Sequence, residues 1–155
     1  MQLIKRLRFF RDERGASLVE LAALLPLFLL LLFGAIDFAR AYYLTTEIAA
    51  AAHAAAAYGA QNPTDITGMK NAANDNAGPG LTLSFANSTP TYGCECSDGT
   101  DYSASCTTTP TCTSTTEVYR VNVTVTATYS PLFPWPKIPS SMTFTSTASM
   151  RSAGS

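Results

Sequence analysis

Residues 14–38 read RGASLVELAALLPLFLLLLFGAIDF, and between Leu21 and Ile36 no side chain carries a charge. Extended back to Ala16, the run has about 21 residues and as a helix rises roughly 30 Å, the thickness of a bilayer core. A buried core helix would need apolar partners on every side, and the rest of the chain is too rich in Thr, Ser and Ala to supply them. The run therefore reads as a transmembrane helix over 16–36, with Leu21, Pro26 and Ile36 inside it. Pro26 removes one backbone donor, which predicts a kink or a local loosening. Near the start of the run stands one carboxylate, Glu20.

The charges flanking this run give it a direction. Lys5, Arg6, Arg8, Arg11 and Arg14 are half of the 10 Lys and Arg in the protein, and only Asp12 and Glu13 oppose them there. Basic residues before a span predict that this end stays in the cytoplasm, so 1–15 is a basic cytoplasmic leader and the remainder is exported. The net charge of −1 leaves no basic surface for nucleic acid. Cys94, Cys96, Cys106 and Cys112 fall on the exported side, where disulfides form and persist. A Cys94–Cys96 bridge would close a very tight ring, which favours the two pairings that cross to Cys106 and Cys112. A zinc site is the weaker reading, because Cys-x-Cys followed by these gaps fits no common zinc spacing.

After the apolar run the helix has no reason to stop. Asp37–Ala60 reads DFARAYYLTTEIAAAAHAAAAYGA, without Pro and dominated by Ala, the residue of highest helix propensity. It predicts an exported helix over 37–60, continuous with the span and ending near Tyr58 before Gly59 and Asn62-Pro63. A shorter helix is expected from Thr64 to about Asn76, capped by Thr64 or Asp65 and closed by Gly78-Pro79-Gly80. Then the period changes to two. Leu81, Leu83 and Phe85 alternate with polar residues, as do Tyr119, Val121, Val123, Val125, Ala127 and Tyr129, and Met142, Phe144, Ala148 and Met150 share a face. Three strands with one apolar face suit a small antiparallel sheet covered by the Ala-rich half of the helix. The fold class is α+β, with 61–155 as a small exported head. Within it, 93–116 reads as a surface loop stapled by disulfides. Ser130–Ser141, SPLFPWPKIPSS, has four prolines and reads as an extended connection, with Phe133 and Trp135 either packed or offered to a partner.

Chemistry is sparse in this head. His53, the single histidine, sits in an alanine block and reads as a bland position. No Gly-x-Ser-x-Gly, His-Glu-x-x-His or phosphate-cradling loop is present. Asp98 and Asp101 beside Gly99 offer oxygens to a calcium ion, but Asp-Gly is also an ordinary turn, and the turn is favoured. Asn87-Ser88-Thr89 and Asn122-Val123-Thr124 fit the glycosylation triplet, which arises often by chance. The expectation is no enzyme, no cofactor, no metal and no small-molecule substrate.

The segment around Glu20 carries more. A basic stretch, then Gly15, then Ala16-Ser17-Leu18-Val19-Glu20 and a bilayer-length apolar run resembles the processing site of type IV prepilins. In that family a prepilin peptidase of the inner membrane cuts after the Gly, here between Gly15 and Ala16. Gly15 through Ala22, Leu25-Pro26 and Phe33-Gly34-Ala35-Ile36-Asp37-Phe38-Ala39-Arg40 look like the N-terminal pattern of the TadE-like family, pseudopilins of tight-adherence (Tad) pilus systems. Tyr129-Ser130-Pro131, Phe133-Pro134 and Ser149-Met150-Arg151 are loosely similar to the end of that family. The resemblance implies a pilin-like subunit of a type IVb pilus that serves surface adhesion. It also implies a single-pass protein of the bacterial inner membrane with a periplasmic or extracellular head. Its partners would be the peptidase, other pilin or pseudopilin subunits and the membrane assembly platform.

Glu20 suits that use on physical grounds. Cleavage after Gly15 frees an ammonium on Ala16, one helical turn from Glu20 on the same face. A carboxylate in lipid is costly unless paired, and the new amine, on this subunit or a neighbour, is a ready partner. Three rivals stand beside this reading: a type II secretion pseudopilin, an uncleaved membrane-anchored periplasmic binding module, and a secretory signal removed near Ala39-Arg40-Ala41. The last has an apolar region longer than such signals use.

Overall fold

Leucine and alanine carry a single helix, α1, from Glu13 to Gln61 in the computed structural model of the chain. The structure describes residues 13–86, 89–103, 106, 111–113 and 115–152, with side chains from Ser17 onward. Residues 1–12 of the expected leader therefore lie outside the described residues, as do Asn87 and Ser88 of one glycosylation triplet. α1 remains helical through Pro26. The chain divides into two compact units, Met1–Arg40 and Ala41–Ser155.

The first unit contributes helix residues with almost no cover. Leu18, Val19, Leu21, Leu24, Leu25, Leu27, Phe28 and the leucines from Leu29 to Leu32 are all exposed.

The second unit is an α+β head. α1 ends where Asn62 donates back to the Tyr58 carbonyl (2.9 Å), and α2 follows over Ile66–Asp75. Asp65 caps α2 by accepting from the Gly68 amide (2.8 Å). The Tyr58 hydroxyl donates to the same carboxylate (2.8 Å), tying the end of α1 to the start of α2. The Gly68 amide first, and the Tyr58 hydroxyl next, hold the Asp65 carboxyl below the usual carboxylate range. A side chain at Gly68 would begin 2.4 Å from Asp65 Oδ2, so the cap requires the glycine.

Among the described residues five strands form one antiparallel sheet: β1 (Ser84–Phe85), β2 (Thr91–Cys96), β3 (Tyr102–Ser103), β4 (Glu117–Tyr129) and β5 (Met142–Ser152). β4 organises it. β5 pairs with β4 from Tyr119↔Ser152 to Tyr129↔Met142, along nearly its whole length. A strand has two edges, so the other edge of β4 is shared by β2, over Glu117–Asn122, and β1, at Val125 and Thr126. β3 pairs with the far side of β2.

The three strands expected from alternation are present, although β1 is shorter than 81–85. β2 and β3 lie inside or across the stretch expected as an irregular loop. β2 shows no period-two pattern because Gly93, Cys94, Glu95 and Cys96 are all buried, on both faces of the strand.

One face of β4, with Val121, Val123 and Val125, packs on Ala51, Ala52, Ala55 and Ala56 of α1 and on Met69 and Ala73 of α2. Ile48, Ala51, Ala52, Ala55, Ala56 and Gly59 recur at helical spacing and form the buried face of α1. The short side chains allow close approach of helix and sheet. A Cβ on Gly59 would stand 2.7 Å from Val121 Cγ1, so at that end the helix backbone lies tight against the strand's side chains. On the opposite face of the sheet Thr124 and Thr147 hydroxyls meet at 3.0 Å across β4 and β5.

Candidate functional site

Glycine at 15 and carboxylate at 20 both lie within α1, and Glu20 is exposed. The helix backbone alone places Gly15 and Ala16, with Ala16 one turn from Glu20. From Leu21 onward the helix surface is apolar on every side until Ile36, which is 41% exposed. Among the described residues α1 is the one helix long and apolar enough to cross a membrane, and none of its most apolar stretch is buried. A fully apolar, fully exposed helix belongs in lipid or among other apolar helices.

The change of character past Ile36 is abrupt. Asp37 is buried and pairs with Arg40 at 3.7 Å, one turn on. Phe38, Tyr42 and Tyr43 are exposed around the same turns. Aromatic rings with polar tips beside an apolar span are the composition of a membrane–water boundary, where the ring meets lipid and the hydroxyl meets water. Further along, His53 is exposed on α1, away from the buried alanine face.

In the head, the cysteines pair as Cys94–Cys106 and Cys96–Cys112. Cys94, Cys106 and Glu117 bring potential ligand atoms within 4.8 Å of one another. Both sulfurs are committed to a disulfide, however, and metals take thiolates. Asp98 caps a turn by accepting from the amide (3.0 Å) and hydroxyl (2.7 Å) of Thr100, with Gly99 in the left-handed region at φ 78°. Those bonds, the Thr100 hydroxyl foremost, draw the Asp98 carboxyl below its ordinary value. Asp101 accepts from the Thr111 amide (3.2 Å) rather than converging on Asp98.

Sequence reasoning misses one polar group of consequence. Glu95 on β2 is 1% exposed and accepts from Arg120 Nη1 (3.0 Å) on β4 and from Arg151 Nε on β5. Its neighbours in sequence give no hint of this, because the partners arrive from 25 and 56 residues away. The cluster is fully compensated and bridges three strands. Its carboxylate is occupied on both oxygens, so it holds the sheet together rather than presenting chemistry to a substrate.

The features that set this chain apart are thus concentrated on the N-terminal helix. Residues 15–57 match the family described as TadE-like protein. Over this stretch the N-terminal helix is similar to that family. The match takes in Gly15, Glu20, the apolar run, the aromatic boundary and the alanine face that packs on the head. No curated protein and no solved structure matches the chain. The matched stretch is confined to the N-terminal helix. Among the described residues that helix is the one long and apolar enough to serve as a single-pass anchor.

Proposed function

We propose that this protein is a minor pilin or pseudopilin, needed to build a Tad-type type IVb pilus for surface adhesion. Residues 1–15 are the cytoplasmic leader, 16–36 the span, 37–60 the exported helix and 61–155 the head on the periplasmic or outer side of the inner membrane. A prepilin peptidase removes the leader between Gly15 and Ala16. The observation that carries the reading is the conjunction, within the matched residues 15–57, of Gly15, Glu20 and an apolar helical stretch none of which is buried.

The mechanism follows from the cost of charge in lipid. Cleavage creates an ammonium on Ala16, and Glu20 is then no longer an isolated carboxylate. Pairing between subunits fixes the register of one helix against the next, a role for which a single polar contact in an apolar interface is well suited. Small residues further along α1 serve the head instead. Other pilin-like subunits and the membrane assembly platform are the partners.

Sequencing the N-terminus of protein extracted from membranes tests the first step. Ala16 is the expected start. Met1 would mean an uncleaved anchor, and a start near Tyr42 a removed signal peptide; either overturns the proposal. Gly15→Phe should leave the leader in place. Glu20→Ala should still insert and yet reduce piliation strongly, and normal piliation in that variant would remove Glu20 from the mechanism.

A further inference from the structure

The connection from β4 to β5, Ser130–Ser141, carries prolines at 131, 134, 136 and 139 and leaves the sheet. It folds back on itself through Trp135 N–H to the Phe133 carbonyl (2.9 Å) and Ile138 N–H to the Trp135 carbonyl (3.2 Å). The Phe133 and Trp135 rings meet edge to face at 6.3 Å. Leu132 is nevertheless 56% exposed, Phe133 36% and Ile138 48%. Among the described residues of the head the other exposed large hydrophobics are Tyr42, Tyr43 and Tyr102, so this knuckle is where exposed Leu, Ile and Phe side chains concentrate. Lys137 is exposed within it and is the sole charged residue between Arg120 and Arg151. Its backbone takes the left-handed conformation, φ 67°.

The position of the knuckle within the head follows from the strand that leads to it. Val121, near the start of β4, lies against Gly59 near the end of α1. Val123 and Val125 then share the core with Ala56, Ala55, Ala52 and Ala51. β4 thus runs back along α1, against the chain direction of the helix. The knuckle follows Tyr129 at the end of the head where α1 enters it from Ala41. In the sequence, the aromatic boundary and the apolar run lie immediately before that residue.

We propose that the 130–141 knuckle is a second membrane contact, in which Leu132, Phe133, Trp135 and Ile138 enter the lipid interface and Lys137 meets anionic headgroups. Aromatic and aliphatic side chains around one long cation are the composition that partitions into this zone, the ring or alkyl stem in the acyl boundary and the charge at the phosphates. The prolines stiffen the backbone, so little conformational freedom is lost on docking. Anchoring by α1 makes the contact intramolecular in effect, so a small apolar tip is enough. The inference rests on the membrane anchoring proposed above. Its consequence is a head held against the bilayer before assembly and released as the subunit leaves the membrane.

Trp135 is the single tryptophan of the chain, so fluorescence excited at the red edge, where the seven tyrosines do not absorb, reports this knuckle alone. The full-length protein is reconstituted in vesicles of phosphatidylethanolamine and phosphatidylglycerol, recovered by flotation, and compared with vesicles of acyl-brominated lipid. The expected result is strong quenching by the brominated lipid and protection from acrylamide. Lys137→Glu should weaken both in anionic vesicles, with little effect when the lipids are zwitterionic. Floated protein whose Trp135 is open to acrylamide and untouched by brominated lipid overturns the contact while leaving the anchor standing. A protected Trp135 that brominated lipid does not reach, and that opens when subunits are diluted in the bilayer, assigns the knuckle to a second copy and also overturns it. Failure to float removes the anchoring and this contact together.

Discussion

Glu95 shows how unequal the two sides of a buried ion pair are. Its carboxylate is 1% exposed, whereas the side chains of Arg120 and Arg151 are 40% and 51% exposed. Removing the carboxylate leaves two guanidinium groups that water can already reach. Removing both guanidinium groups leaves a buried carboxylate with no countercharge. The double substitution Arg120→Met with Arg151→Met should therefore cost more stability than Glu95→Gln, by about 3–5 kcal/mol against roughly 1–3 kcal/mol. Denaturation midpoints of the two variants would check the order, and the reverse order would show that Glu95 is hydrated in solution. Nothing local marks this residue. Tyr92-Gly93-Cys94-Glu95-Cys96 reads as loop, and Glu95 becomes a buried acceptor only once β4 and β5 deliver their arginines. The pattern that joins Gly15 to Glu20, by contrast, is local: the two stand five residues apart, directly before the apolar run.

At the scale of elements, the second half of α1 works through what it lacks. Ala51, Ala52, Ala55 and Ala56 are fully buried against the sheet, and Gly59 admits Val121 closer than any side chain would allow. Ala55→Leu gains nothing in helix propensity and places three extra carbons where no room exists, which should cost about 1–3 kcal/mol through overpacking. Ala57→Leu, at an exposed position two residues on, should be nearly neutral. Thermal denaturation of the pair measures the difference, and equal midpoints would mean that helix and sheet separate in solution. β4 and β5 announce themselves by strict alternation because one face is wet and the other dry. β2 does not, since both of its faces are covered over Gly93–Cys96 and its short length leaves no period to count.

For the molecule as a whole, two disulfides tie β2 to the segment that precedes β4. They link residues 12 and 16 apart in sequence. Loops of that size correspond to about 3 kcal/mol each in the chain-entropy account of cross-linking. Reduction should lower the denaturation midpoint of the head markedly while α1 helicity over its first unit persists, because the bridges lie in Ala41–Ser155. Circular dichroism with and without reductant would show this as a partial loss of signal on heating. A midpoint unchanged by reductant would mean that the alanine–valine core suffices alone.

The sequence by itself determined the parts whose physics is local or periodic. These are the apolar run and its flanking charges, the alanine helix, a second helix starting at Thr64 or Asp65, and the alternation of β4 and β5. It also narrowed the cysteines to two pairings, since a ring closed through one intervening residue is too tight. Only the tertiary structure chose between those pairings, added β2 and β3 to the sheet, and buried Glu95 between two arginines. The physical reason is the same for all three. Each depends on groups far apart in the chain being brought within a few ångströms, and no short window of sequence records a distance that only the folded sheet creates.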